Sequence, residues 1–290
     1  MSIPLWALRH QGANIRAILK IVFGGASETL DTPGPVLNEV IAPRHSDLIR
    51  AFKTWCNDPS PDEIIPDHFF PQWAFPLLGQ ALNGSPYPMR KVLNQGFAMT
   101  RHHALPATEP LNLSAQLVSV EETTGKARLS TRAITGTSSH PEAVVCDIFS
   151  VVPLPKPKGS KSQRSERPED TKAWRSVDQY RAGRLGGAVY CCLSGDINPL
   201  HWFPPLAWAA GMKNPILHGF AAGSLVTATL DRLPDQTGGR IEHIDMRFIR
   251  PMVLPAQLSL ELAEDENEQH LRLLDAKGKP CVVGTYRVVT

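Results

Sequence analysis

Apolar residues recur along this chain in two rhythms. Between Gly219 and Leu233, the residues Phe220, Gly223, Val226, Thr227, Leu230 and Leu233 fall at helical spacing. The run Ala221, Ala222, Gly223 and Ser224 keeps that helix slim, which suits close approach to a sheet. Four strand-like stretches follow: Ile241 to Ile249, Ala256 to Ala263, His270 to Leu274 and Cys281 to Val289. Pro251, Pro255, the acidic run Glu264 to Glu268 and Lys277-Gly278-Lys279-Pro280 punctuate them. One helix followed by several antiparallel strands predicts an α+β unit with the helix buried against the sheet. Alternating strand–helix units, which would build a parallel sheet, are absent. Near the N-terminus, Ile15, Ile18, Leu19 and Val22 predict a short amphipathic helix, which packs on the domain or touches a membrane surface.

The pattern breaks once. Pro153 to Asp170 reads PLPKPKGSKSQRSERPED, with almost no apolar side chains, and so predicts a linker. It divides the chain into an N-terminal half, 1–152, and a C-terminal half, 171–290. The halves echo one another. Glu63-Ile-Ile-Pro66-Asp-His68-Phe-Phe-Pro71 matches Asp196-Ile-Asn198-Pro199-Leu-His201-Trp-Phe-Pro204 in acid, proline, histidine, aromatic pair and proline. Leu93-Asn-Gln-Gly96-Phe97 echoes Ile216-Leu-His-Gly219-Phe220, and Leu113 to Val118 and Ala256 to Leu260 alternate alike. Three echoes in one order argue for duplication of one unit.

Composition narrows the function. With 42% hydrophobic residues, the 290-residue chain can build a real core. A net charge of +2 gives no general pull toward nucleic acid. No apolar run approaches the roughly 18 residues of a spanning helix. Five cysteines without C-x-x-C spacing fit a reducing compartment, and the expected location is the cytoplasm. Adjacent Cys191 and Cys192 read as small buried residues. Neither the paired His102-His103 nor the other histidines show metal-ligand spacing. No G-x-S-x-G occurs, and Gly183 to Gly187 lacks the features of a phosphate loop.

Chemistry concentrates in Tyr190-Cys-Cys-Leu-Ser-Gly195-Asp196-Ile-Asn198-Pro199-Leu-His201. Gly195 and Asn198-Pro199 favour turns that fold Asp196 and His201 toward one point. A carboxylate and an imidazole can then hold one water between them and manage its protons. The Asn198 amide can orient either partner. Downstream, Asn214-Pro-Ile-Leu-His218-Gly219-Phe220 places a glycine amide where the buried helix starts, at its positive end. That suits a developing oxyanion, for example on a thioester carbonyl. His218 reads as a structural holder of this loop, and Ser224 as a packing residue.

At these positions the chain resembles the MaoC-like (R)-specific enoyl thioester hydratases, the hydratase-2 group. Their pattern is an aromatic, then L-S-G-D-x-N-P-L-H, then P-I-L-H-G; here it stands as Tyr190, Leu193 to His201 and Pro215 to Gly219. The resemblance implies a double hot-dog fold, each half a curved antiparallel sheet around a central helix, together forming a pseudo-dimer. It implies catalytic roles for Asp196 and His201, orientation by Asn198 and an oxyanion contact at the Gly219 amide. It implies hydration of trans-2-enoyl thioesters, carried by coenzyme A or an acyl-carrier protein, with no metal or redox cofactor. The N-terminal half is then a degenerate unit that helps hold the acyl chain: Ile65 replaces the asparagine and Gln95 the histidine. Many members carry an acidic residue where Phe203 stands, after Trp202, which bears on substrate range. Two other functions remain compatible with these residues: a hot-dog acyl thioesterase and a non-catalytic acyl-thioester binding protein. Monomer and homodimer are equally compatible. Lys156, Lys158, Lys161, Arg164, Arg167, Arg240, Arg247 and Arg250 are candidates to approach a carrier phosphate.

Overall fold

The computed structural model describes residues 2–23, 31–83, 85–155, 172–234, 239–265 and 268–289. The N-terminal half runs through helix α1 (Gly12–Phe23), strand β1 (Leu37–Ile41), helix α2 (Ser46–Cys56), the short β2 (Ile64–Ile65) and helix α3 (Pro71–Ala81). It continues with β3 (Leu93–Arg101), the short β4 (Leu105–Pro106), β5 (Leu111–Thr123), β6 (Lys126–Gly136) and β7 (Val144–Pro153). The C-terminal half comprises β8 (Arg175–Ala182), helices α4 (Gly186–Ser194), α5 (Pro204–Ala209) and α6 (Gly219–Arg232), then β9 (Arg240–Phe248), β10 (Ala256–Glu264), β11 (Gln269–Asp275) and β12 (Pro280–Val289). The segment read as a linker falls largely on residues 156–171, outside the described residues, together with its lysines and arginines.

Ten strands form one sheet in the order β1-β5-β6-β7-β3-β9-β12-β11-β10-β8. Every neighbouring pair is antiparallel. Read inward from either edge, the order is the same: first strand, then the three successive late strands, then the strand that follows the central helix. The halves meet at β3 and β9, where Gly96 lies opposite Arg247 and Thr100 opposite His243. The Thr100 hydroxyl and His243 Nδ1 are 2.8 Å apart across this seam. This is the double hot-dog arrangement.

Alternation sets the sheet's faces: in β5, Leu111, Leu113, Ala115 and Leu117 turn inward and their neighbours outward. On the inner face lies α6, whose Phe220, Ala221, Ala222, Val226, Ala228 and Leu230 are buried. Its small residues have the purpose their spacing implied. A Cβ on Gly223 would stand 2.7 Å from the Phe97 ring on β3, so the helix lies directly on the neighbouring half. Arg101 on β3 ties the halves a second time. Its buried guanidinium donates to Asp67 at 2.7 Å and to Asp231 of α6 at 2.7 and 3.0 Å.

The observed symmetry corrects one of the three echoes. The Glu63 and Asp196 segments are equivalent: each follows a helix, α2 or α4, and His68 and His201 both sit in single 3-10 turns. Leu113 to Val118 and Ala256 to Leu260 lie on the equivalent strands β5 and β10. Leu93 to Phe97, however, belongs to β3, whereas Gly219 and Phe220 open helix α6. The true counterpart of α6 is α3, which starts at Pro71 immediately after the His68 turn. In the C-terminal half, α5 and the loop to His218 intervene.

Candidate active site

The turn after α4 is shaped by its residues one at a time. Gly195 ends α4 in the left-handed conformation, at φ 77°, and its amide donates to the Cys191 carbonyl at 2.9 Å. The Asp196 amide then donates to Ser194 Oγ at 3.2 Å. Asn198 donates its backbone amide to Asp196 Oδ1 at 3.4 Å, and its side-chain oxygen accepts from the Leu200 amide at 3.1 Å. The side chain therefore caps the turn that carries His201, and the orientation of Asp196 comes from the Asn198 main chain. The expected direct side-chain amide contact is absent from this arrangement.

His201 is held by a ring nitrogen: Nδ1 lies 2.8 Å from the Ile216 carbonyl oxygen. A carbonyl only accepts, so Nδ1 carries the proton and Nε2 is left as the acceptor. Two further residues fix this ring. A Cβ on Gly187 would collide with the His201 carbonyl, so the turn rests on α4 at backbone contact. His218 stacks on His201 with centroids 3.6 Å apart and planes 22° apart, and its Nε2–H donates to the Asp196 carbonyl at 3.0 Å. His218 is thus a structural clamp on both members of the pair, as its sequence position implied. Gly187 was not singled out by sequence; a glycine inside a helix, one helix before the motif, was the available signal.

Ring nitrogens of His201 and His218 and a carboxylate oxygen of Asp196 lie within 4.8 Å of one another. Asp196 and His201 are half-buried on the wall of a cavity of about 590 Å³, which Asn198 and Gly219 also line. Burial pushes the Asp196 carboxyl above the usual carboxylate range, opposed by His201 and by the Asn198 amide. Burial lowers His201, opposed by Asp196. Fully buried, His218 is held well below the ordinary imidazole range and stays neutral. Each group of the pair is therefore moved toward its uncharged form.

Gly219 opens α6, where first-turn N–H groups have no acceptor within the helix. A Cβ there would strike the Phe248 ring, which closes this side of the cavity. The rest of the wall is mostly apolar and comes from both halves: Phe75, Leu78 and Leu82 from around α3, and Phe220, Phe248 and Met252 from the C-terminal half. Of the three candidate arginines on or beside β9, Arg250 lines the cavity and donates to the Pro280 carbonyl at 2.7 Å. Arg247 is engaged with Asp245 and lies over the Phe149 ring at 3.9 Å.

The equivalent place in the N-terminal half is built differently. Glu63 is exposed, and His68 Nε2 meets the buried Asp58 at 2.8 Å instead. Cys56 completes a close trio with these two. Burial drives the Cys56 thiol far above its usual range.

Residues 161–279 match the family model described as the MaoC like domain. The chain carries a MaoC-like domain. This MaoC-like domain contains Asp196, Asn198, His201 and Gly219. Over 110 residues the chain is 34% identical to peroxisomal multifunctional enzyme type 2 of Drosophila melanogaster, covering 37% of this chain and 18% of that one. Over 100 residues it is 34% identical to 3-hydroxyacyl-thioester dehydratase X of Mycobacterium tuberculosis, covering 34% of each. The matched segment thus spans about a third or less of these relatives. The whole fold is similar to the crystal structure of HtdX of Mycobacterium tuberculosis, with TM-score 0.72 and 17% identity, covering 88% of this chain and 100% of that one. A Mycobacterium tuberculosis protein described as having a double hotdog fold aligns with TM-score 0.56 and 11% identity, over 88% and 96%. Among the described residues, no helix is long and apolar enough to cross a membrane.

Proposed function

We propose that this protein adds water to trans-2-enoyl thioesters to give (3R)-3-hydroxyacyl thioesters, and removes it in reverse: a hydro-lyase using Asp196 and His201. One observation carries the reading. A carboxylate oxygen and an imidazole nitrogen stand within 4.8 Å on the wall of an apolar cavity, beside the amide that opens a buried helix.

The chemistry follows from that placement. The water oxygen attacks Cβ while one member of the pair takes its proton. The carbon–carbon π electrons move toward the thioester carbonyl, whose oxygen gains negative charge. The Gly219 N–H, at the positive end of α6, donates to that oxygen. A proton returned to Cα completes the addition, so the pair ends in its starting state. Displaced pKa values serve this exchange, because neither group is committed to its charged form. The names of the relatives, a 3-hydroxyacyl-thioester dehydratase among them, support the same class of substrate.

The test is an absorbance assay of the conjugated enoyl thioester, run on crotonyl-CoA and longer homologues. Asp196→Asn and His201→Ala are each expected to lose at least about a hundredfold in kcat, the scale of an acid–base contribution. The product is expected to be (3R) alone. Wild-type rates in either folded variant, or (3S) product, refute the assignment. Release of free thiol in place of hydration identifies thioester cleavage.

A further inference from the structure

The amphipathic helix near the N-terminus is not used by the chemistry just described, yet it touches the site twice. Its first contact is polar. Gln11, just before α1, donates from Nε2 to the Cys192 carbonyl at 3.0 Å and the Leu193 carbonyl at 2.7 Å. These are last-turn carbonyls of α4, which have no partner within the helix. Asn14 donates to the Gln72 carbonyl of α3 at 2.7 Å, and the Gln72 side chain donates to Gln11 Oε1 at 3.2 Å. All three side chains are buried. The cluster presses on the residue before Asp196: a Cβ on Gly195 would stand 2.6 Å from both the Asn14 amide nitrogen and Gln11 Oε1.

The second contact is apolar. Asn14, Ala17 and Ile18 fall on one helical face, and all three line the cavity that holds Asp196 and His201. Leu78 and Leu82, from α3 and the residue that follows it, line the same cavity. Ile18 lies about 6 Å further along the axis than Asn14, away from the catalytic turn. An acyl chain anchored at the pair therefore meets Ala17 and Ile18 several methylene groups out.

We propose that helix α1 is the wall that selects acyl length: Ala17 and Ile18 face the acyl chain of the thioester, and the buried Gln11–Asn14–Gln72 cluster fixes that wall to the turn carrying Asp196. This rests on the thioester reading of the site and adds the residues that set its range. The helix belongs to neither the sheet nor the matched MaoC-like segment, so Ala17 and Ile18 can vary while Gln11 and Asn14 keep their hold on the turn carrying Asp196.

Binding of saturated, unreactive acyl-CoA tests the wall apart from turnover. Dissociation constants for butyryl-CoA and lauroyl-CoA are measured by titration calorimetry on the full chain, for wild type, Ala17→Phe and Ile18→Ala. Ala17→Phe is expected to weaken lauroyl-CoA relative to butyryl-CoA by at least about tenfold, the scale of a few displaced methylene groups. Ile18→Ala, which opens the wall, is expected to shift the ratio by at least about threefold and decides the matter if Ala17→Phe does not fold. Ratios within about twofold of wild type, or no binding of either thioester by wild type, overturn the proposal. Normal chain selection with no hydration of enoyl thioesters upholds the wall and rejects the hydratase reading.

Discussion

At the scale of single residues, the site stores unfavourable energy in Asp196. An acid whose folded pKa is raised costs stability wherever the unfolded chain would ionise it freely. That cost is present at neutral pH and disappears below both pKa values, under about pH 4. Asp196→Asn is therefore expected to melt at or above the wild-type temperature at pH 7, with the gap closing as pH falls toward 4, followed by calorimetry. A lower Tm for the variant at pH 7 contradicts this. Gly187 makes a different demand. Alanine there pushes the His201 backbone off α4, and a displacement of about 1 Å at a reacting group costs about a hundredfold in rate. Gly187→Ala is expected to lose kcat on crotonyl-CoA by about ten- to a hundredfold with little change in KM; an unchanged kcat removes Gly187 from the positioning residues. Asp196, His201 and Gly219 were legible because the motif packs them within a short stretch. Gly187, Gln11 and Asn14 were not, since each matters only through a contact made in three dimensions.

At the scale of elements, strands β9 to β12 and helix α6 lie within one or two residues of their predicted ranges, whereas β8, which has no fully buried position, was not among the predicted strands. Alternation and small-residue spacing are strong where one face meets a core and the other solvent. Helices α3 and α4 escaped for the opposite reason. In α3 the run Pro71-Gln-Trp-Ala is buried throughout, as are Pro76 to Gly79, and α4 is buried from Val189 to Ser194. Buried nearly all round, they show no amphipathic period, and Pro76 inside α3 reads as a breaker. The false echo at Leu93 has the same cause, because α3 carries no amphipathic period to mark it as the counterpart of α6. The His68 turn now has its own explanation. Burial alone would raise the Asp58 carboxyl, but hydrogen bonds from His68 and Ser60 outweigh it and hold Asp58 far below the usual range. Stability from that pairing is present above about pH 4 and is lost as pH falls further. Asp58→Ala is expected to cost about 3–5 kcal/mol in urea unfolding at pH 7, as for other buried pairs broken on one side. A cost below about 1 kcal/mol would show the pair to be idle.

At the scale of the whole molecule, the two halves share one sheet and one buried cation. Arg101 stands between Asp67 and Asp231, and burial, which by itself favours its neutral form, is outweighed by the two carboxylates, so the guanidinium stays charged. Arg101→Met strands both acids and is expected to cost about 3–5 kcal/mol. With the β3–β9 seam continuous, wild type is expected to unfold in a single transition, with equal calorimetric and van't Hoff enthalpies. Two resolved transitions would mean that the halves are thermodynamically separate.

The stretch from Pro204 to His218 has no counterpart between the His68 turn and α3. In a symmetric assembly of identical subunits, every substitution is imposed twice, at positions related by the dyad. A tethered pair escapes that rule. One copy can gain an insertion and keep its reacting groups while the other trades them for greasy bulk, and natural selection then tunes recognition and reactivity as separate traits.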